Sequence, residues 1–159
     1  MSQSARHPAP RACLTVNEVH VGDQAEKTYV IAAGDAVRFA EISGDWNPAH
    51  HDPRYAADSS FGEPIAHGLY SVAQFSDLFG MQLPGLGALW VRESVEFLAP
   101  VYFGRVYRAV ITVTAVDVAA NSVTFHMECL DEANTPVLTG ESLVKPIPEH
   151  VRAKRHGVG

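Results

Sequence analysis

From Gly68 to Phe79 the chain places Leu69, Tyr70, Val72, Ala73, Phe75, Leu78 and Phe79 on nearly every side of a helix. A helix apolar all round cannot face water, so it needs a wrapper. Four downstream runs supply one: Ala88 to Phe97, Tyr107 to Val116, Ser122 to Leu130 and Pro136 to Val144. They are rich in β-branched and aromatic residues, several alternate in polarity, and Asn121 and Asn134 mark turns between them. One buried helix followed by four antiparallel strands is an α+β plan in which the sheet curls around the helix.

Upstream, Thr28 to Ile31 reads as a short strand, and Ala36, Val37, Phe39, Ala40 and Ile42 have the spacing of an amphipathic helix of two or three turns. Gly44 follows where a left-handed cap ends such a helix, and the cap turns Asp45 away from the helix axis. Pro48 has no backbone donor and restrains Asn47 to extended geometry, so no helix runs from Asp45 to His50. A loop carrying Asp45, Asn47, His50, His51 and Asp52 is either a rigid active-site segment or a polar surface turn. Arg54 to Ala57 allows one more helical turn before Asp58-Ser59-Ser60 breaks it.

With 159 residues, 47% hydrophobic and 19% charged, the chain has material for one core and one domain. We place that domain at 13–148, with polar, flexible tails at 1–12 and 149–159. Arg152, Lys154 and Arg155 in the second tail read as a solvated basic run. A net charge of −6 without a basic stripe excludes a nucleic-acid partner. Cys13 and Cys129 are too few and too far apart for a disulfide framework or structural zinc site. No run resembles a signal peptide or reaches membrane-spanning length, which predicts a cytoplasmic protein without a membrane partner.

Ser43-Gly44-Asp45-Trp46-Asn47-Pro48-Ala49-His50, followed by Pro64-Ile65-Ala66-His67-Gly68, resembles the MaoC-like (R)-specific enoyl-CoA hydratases. The similarity continues through Gln82-Leu83-Pro84-Gly85, Glu96 to Val101 and Thr139-Gly140-Glu141, covering roughly Thr28 to Lys145. It implies a hot-dog fold, a homodimer with a sheet continuous across it, and an acyl-CoA or acyl carrier protein thioester as substrate. Gly104-Arg105 departs from the Gly-Asp frequent in such families, and His51 from the apolar residue usual after the catalytic histidine.

Hydration of a double bond conjugated to a thioester needs a base for water, an acid for the α-carbon and donors for the enolate oxygen. Asp45 fits the base, His50 the group that positions the same water and supplies the proton, and the Gly68 N–H the oxygen donor; the resemblance assigns the same roles. Gly68 also reads as a plain turn glycine. Ser76 matches a family position whose hydroxyl holds the catalytic acid, although a helical serine also bonds its own backbone. His67 reads either as a substrate contact or as a residue packing at the helix start. Asn47 holds acid and base in place, Trp46 is an apolar anchor, and His51 is a surface or supporting residue. Neither a metal nor a cofactor is expected, because His50, His51, Asp52 and His67 lack recognisable ligand spacing. Two other activities keep the pocket but not the chemistry: an acyl-CoA thioesterase, and a non-catalytic subunit that binds acyl thioesters.

Overall fold

The computed structural model describes residues 12–156, and the first eleven residues of the tail expected at 1–12 lie outside them. Five antiparallel strands form one sheet in the order β1-β3-β4-β5-β2: β1 Gln24–Val30, β2 Leu89–Phe97, β3 Val106–Asp117, β4 Ser122–Leu130 and β5 Pro136–Lys145. The four downstream strands lie where the sequence predicts them. β1 starts four residues early, because Gln24 to Thr28 continue the ladder to Thr112 through Arg108.

Alternation decides which face is buried. Tyr107, Ala109, Ile111 and Val113 of β3 and Val123, Phe125, Met127 and Cys129 of β4 all point inward at period two. The helical layer meets them there. Phe79 packs edge-on against Phe125, with ring centroids 5.1 Å apart, and against Trp90 at 4.9 Å. Trp90 Nε1 donates to Ser142 Oγ at 3.1 Å, so this ring satisfies its polar atom inside the core.

The central helix differs from its expectation in two ways. Regular α-helix (α3) spans only Gly68–Ala73, and after an irregular stretch the segment closes in a wide π-type turn, Leu78–Gln82. Burial covers one side alone: Val72, Phe75, Leu78 and Phe79 are buried, whereas Leu69 is 69% exposed and Ala73 and Ser76 face out with it. The reason is geometric. Five strands curl over one side of the helix and leave the stripe 69, 73, 76 uncovered.

The helix predicted before the polar loop is α1, Ala33–Ser43, and Gly44 caps it at φ 79°, its N–H donating to Ala40 O at 2.8 Å. A left-handed residue with a Cβ costs about 1–2 kcal/mol. Nothing crowds the position, so Gly44→Ala should lower unfolding stability by about 1 kcal/mol in a urea melt with an unchanged slope.

The C-terminal expectation is corrected. Glu149–His156 forms helix α4, and Arg152 donates to Cys13 O at 3.1 Å and pairs with Glu18. Arg152 is thus held by a carbonyl and a carboxylate at the start of the domain, whereas Lys154 is exposed. Ala12 is likewise packed, its carbonyl accepting from Leu86 N at 2.9 Å.

Candidate active site

The loop after α1 is built by short-range bonds that its own residue types dictate. Ser43 Oγ donates to Phe39 O at 2.7 Å and accepts from Asp45 N at 3.2 Å, so the acid leaves the helix on a braced backbone. Asn47 N donates to Asp45 Oδ1 at 3.2 Å, and Asn47 Oδ1 accepts from Ala49 N at 3.0 Å. Asn47 thus ties Asp45 to the start of the next turn. From there the backbone differs from expectation: Pro48–His50 is a 3-10 turn, not an extended segment, because Pro at its first position and an Asn cap suit helix initiation. Asp52 then caps α2, Pro53–Ala57, through Arg54 N at 2.8 Å.

A second segment meets this loop from the far side. Ile65 N donates to Ala49 O at 3.2 Å, Ala66 N to Val101 O at 2.7 Å, and Ile65 bridges Tyr102. Ile65 O, held by these bonds, lies 2.8 Å from His50 Nδ1. A carbonyl can only accept, so in the neutral ring Nδ1 carries the hydrogen and Nε2 carries the lone pair. Nε2 lies 3.9 Å from Asp45 Oδ2. Two acceptors at that separation have no bond to make with each other, but one water can donate a hydrogen to each.

Burial pushes the His50 pKa below the ordinary imidazole range, and the neighbouring His67 pushes the same way. The bond to Ile65 O and the nearby Asp45 carboxylate oppose the shift. His50 is therefore neutral near pH 7, with its side chain only 11% exposed, whereas Asp45 is half exposed.

His67 is 2% exposed, and its ring stacks on His50 with centroids 3.8 Å apart. Its Nε2 donates to Asp45 O at 3.0 Å. It does not line the cavity described below, so of the two readings the structure favours packing: His67 braces both His50 and the Asp45 backbone. Asp45, His50 and His67 each present a ligand atom within 4.8 Å of the others. The two rings are nearly parallel at 27°, however, and one ion cannot lie in both ring planes unless a ring turns.

A cavity of about 350 Å³ opens on the His50 side, walled by Phe61, Ile65, Phe97, Leu98, Pro100 and Val101, with Gly68 and Ser71 contributed by α3. The ring of Phe97 stands 2.9 Å from where a Gly68 Cβ would sit, so a side chain at this position would have to push the end of that ring aside. Ser76 is exposed and makes no hydrogen bond to Asp45 within the described residues of this chain. The serine on the cavity wall is Ser71, which sequence reasoning missed: a helical pattern shows that a position is near the core, not which cavity it meets. Tyr70, Phe75, Phe79 and Met81 do not line this cavity either. Trp46 is 57% exposed and packs on His51 at 5.3 Å, a cover over that ring and not a core anchor. His51 lines a separate hollow with His50, Glu63 and Phe103.

Comparison with known proteins agrees with this architecture. The MaoC like domain model matches residues 16–133. The chain is 33% identical over 132 residues to an (R)-specific enoyl-CoA hydratase of Aeromonas caviae, covering 83% of this chain and 98% of that one. With the (R)-specific enoyl-CoA hydratase of Rhodospirillum rubrum it shares 37% over 127 residues, 80% of this chain and 88% of the other. An unliganded R-hydratase from Pseudomonas aeruginosa superposes with a TM-score of 0.79 at 34% identity, covering 85% and 86% of the two chains. A hot-dog sheet around a central helix, a braced Asp-Pro-His loop and a family match over most of the chain lead to one conclusion: this protein belongs to the MaoC-like dehydratase family.

Proposed function

We propose that the protein is a hydro-lyase that adds water reversibly to trans-2-enoyl thioesters of coenzyme A or acyl carrier protein, giving (R)-3-hydroxyacyl thioesters. The observation that carries this reading is the pair of acceptors, Asp45 Oδ2 and His50 Nε2, 3.9 Å apart beside an apolar cavity. A water donating to both turns its oxygen lone pair outward, toward C3 of a bound enoyl group. As the C3–O bond forms, His50 Nε2 takes one proton from the water. The imidazolium beside Asp45 then returns that proton to C2, while the Gly68 N–H holds the thioester oxygen as negative charge develops there. The water supplies both the hydroxyl and the hydrogen, so the step balances without a metal or redox cofactor.

The lone pair on Nε2 refines the roles. A neutral His50 has no Nε2 proton to supply at the outset, so it acts first as acceptor and then as donor, with Asp45 orienting the water and stabilising the imidazolium. His50, unlike Asp45, lines the cavity, which supports giving it the shuttle.

The test is the loss of enoyl-thioester absorbance when crotonyl-CoA meets the purified protein, with chiral analysis of the 3-hydroxy product. Release of free thiol with no hydration selects the thioesterase, and saturable binding with no product selects the non-catalytic binder. Activity should survive dialysis against a chelator, and a loss restored by zinc would overturn the mechanism.

His50 must be neutral to accept, so kcat/KM falls on acidification. Because burial lowers its pKa, the acid limb lies below about pH 6.5, the ordinary imidazole value. Stability moves with the same sign. The unfolded histidine binds its proton first as pH falls, so the folded state loses stability below that range. An acid limb centred above pH 7 in the rate profile would contradict this assignment.

The uncovered stripe Leu69, Ala73, Ser76 and the free edge of β2, with Leu89, Val91 and Phe97 exposed, support a homodimer formed across that face. Light scattering should return about twice the 17.2 kDa chain mass.

A further inference from the structure

Two serines near helix ends satisfy their hydroxyls locally. Ser43 Oγ donates to Phe39 O and Ser59 Oγ to Ala56 O, both at 2.7 Å. Ser71 does not. It is 1% exposed, and its Oγ has no hydrogen-bond partner among the described residues. The carbonyl one turn back, His67 O, already accepts from Tyr70 N at 3.1 Å and Ser71 N at 3.2 Å. A buried hydroxyl left in this state keeps a desolvation penalty that an alanine at the same place would not incur.

The orphan oxygen belongs to a residue on the cavity wall. Of the lining side chains, only His50 and Ser71 are polar, and His50 is committed to Ile65 O and to the Asp45 side. Ser71 lies three residues after Gly68, hence on the same helix face and about 5 Å further along. An acyl chain whose thioester oxygen sits at Gly68 therefore passes Ser71 with the carbons beyond its double bond. The surrounding Phe61, Ile65, Leu98, Pro100 and Val101 offer those carbons no other side-chain hydrogen bond.

We propose that Ser71 is a specificity residue that donates a hydrogen bond to an oxygen substituent on the acyl chain, so that this site prefers oxygenated 2-enoyl thioesters, keto or hydroxy, over plain aliphatic ones. The proposal rests on the reading that the cavity takes the acyl group of a thioester. A site built to hydrogen-bond a substrate oxygen discriminates against the analogue that lacks it, because the unpaired hydroxyl then stays buried. An aliphatic chain fills the same walls but leaves Ser71 as it is now.

Binding of saturated thioesters, which cannot be hydrated, separates this proposal from the hydratase reading. By calorimetry on the full chain, 5-oxohexanoyl-CoA should bind at least about tenfold tighter than hexanoyl-CoA, the fold-change that one such bond supplies. In Ser71→Ala that ratio should fall to within about twofold of unity. Equal affinities for wild type overturn the proposal without any variant, and so does an unchanged ratio in Ser71→Ala, the result expected if Ser71 holds only an ordered water. Absence of binding by either thioester overturns it too, since no acyl chain then enters the cavity. Turnover is read separately on 5-oxo-2-hexenoyl-CoA and 2-hexenoyl-CoA: a binding preference without hydration leaves Ser71 in place and removes the hydro-lyase, whereas hydration without a preference does the reverse.

Discussion

Replacing His50 with alanine should cut hydration of crotonyl-CoA by about a hundredfold to ten-thousandfold with the fold intact, and Asp45→Asn should do the same, the range that loss of a positioned acid or base commonly spans. The physical reason, under the proposed mechanism, is the single water that both groups would hold. Remove Nε2 and the proton has no acceptor near C2; remove the carboxylate charge and the water loses its second anchor while the imidazolium loses its counter-charge. Because the two act on one molecule, the Asp45→Asn/His50→Ala double variant should lose far less than the product of the single losses. His51→Ala serves as the contrast, remaining within about tenfold of wild type, because its ring packs on Trp46 and lines a different hollow. A severe loss at His51 with little at His50 would mean that the water sits on the other side of the loop.

The second large effect is on stability. Phe125→Ala should lower the unfolding free energy by about 3–5 kcal/mol, read from the midpoint of a denaturant melt. Phe125 is fully buried at the middle of β4, facing the edge of Phe79 at 5.1 Å, so truncation empties the contact between sheet and helix. That loss is a large share of the roughly 5–15 kcal/mol that holds a domain of this size together. A shift below about 1 kcal/mol would show that the helical layer collapses into the gap. Phe97→Ala, on a ring already 54% exposed, should cost far less.

Much of the fold, and of the loop that carries Asp45 and His50, was legible in the chain because local rules determine them. Period-two alternation set β3 and β4 and their inward residues, and Gly44 at positive φ, Asn47 as a cap and Pro48 at the start of a turn shape the loop from nearest neighbours alone. Asp45 and His50 therefore come together through bonds that span five residues or fewer, plus one carbonyl at Ile65. What tertiary structure decided is which side of each element is covered. Leu69 reads as core from composition but stands exposed because the sheet wraps one side of α3; Trp46 lies open because it caps His51; and Arg152 leaves the solvent because Cys13 O and Glu18 arrive beside it from the other end of the domain. Ser71 is the sharpest case. A serine in an apolar helical run looks like any other helical serine until distant segments, Phe97 to Val101 above all, close a cavity over it. Its hydroxyl is then buried with no hydrogen-bond partner among the described residues, a property of long-range packing that no spacing of residues along the chain encodes.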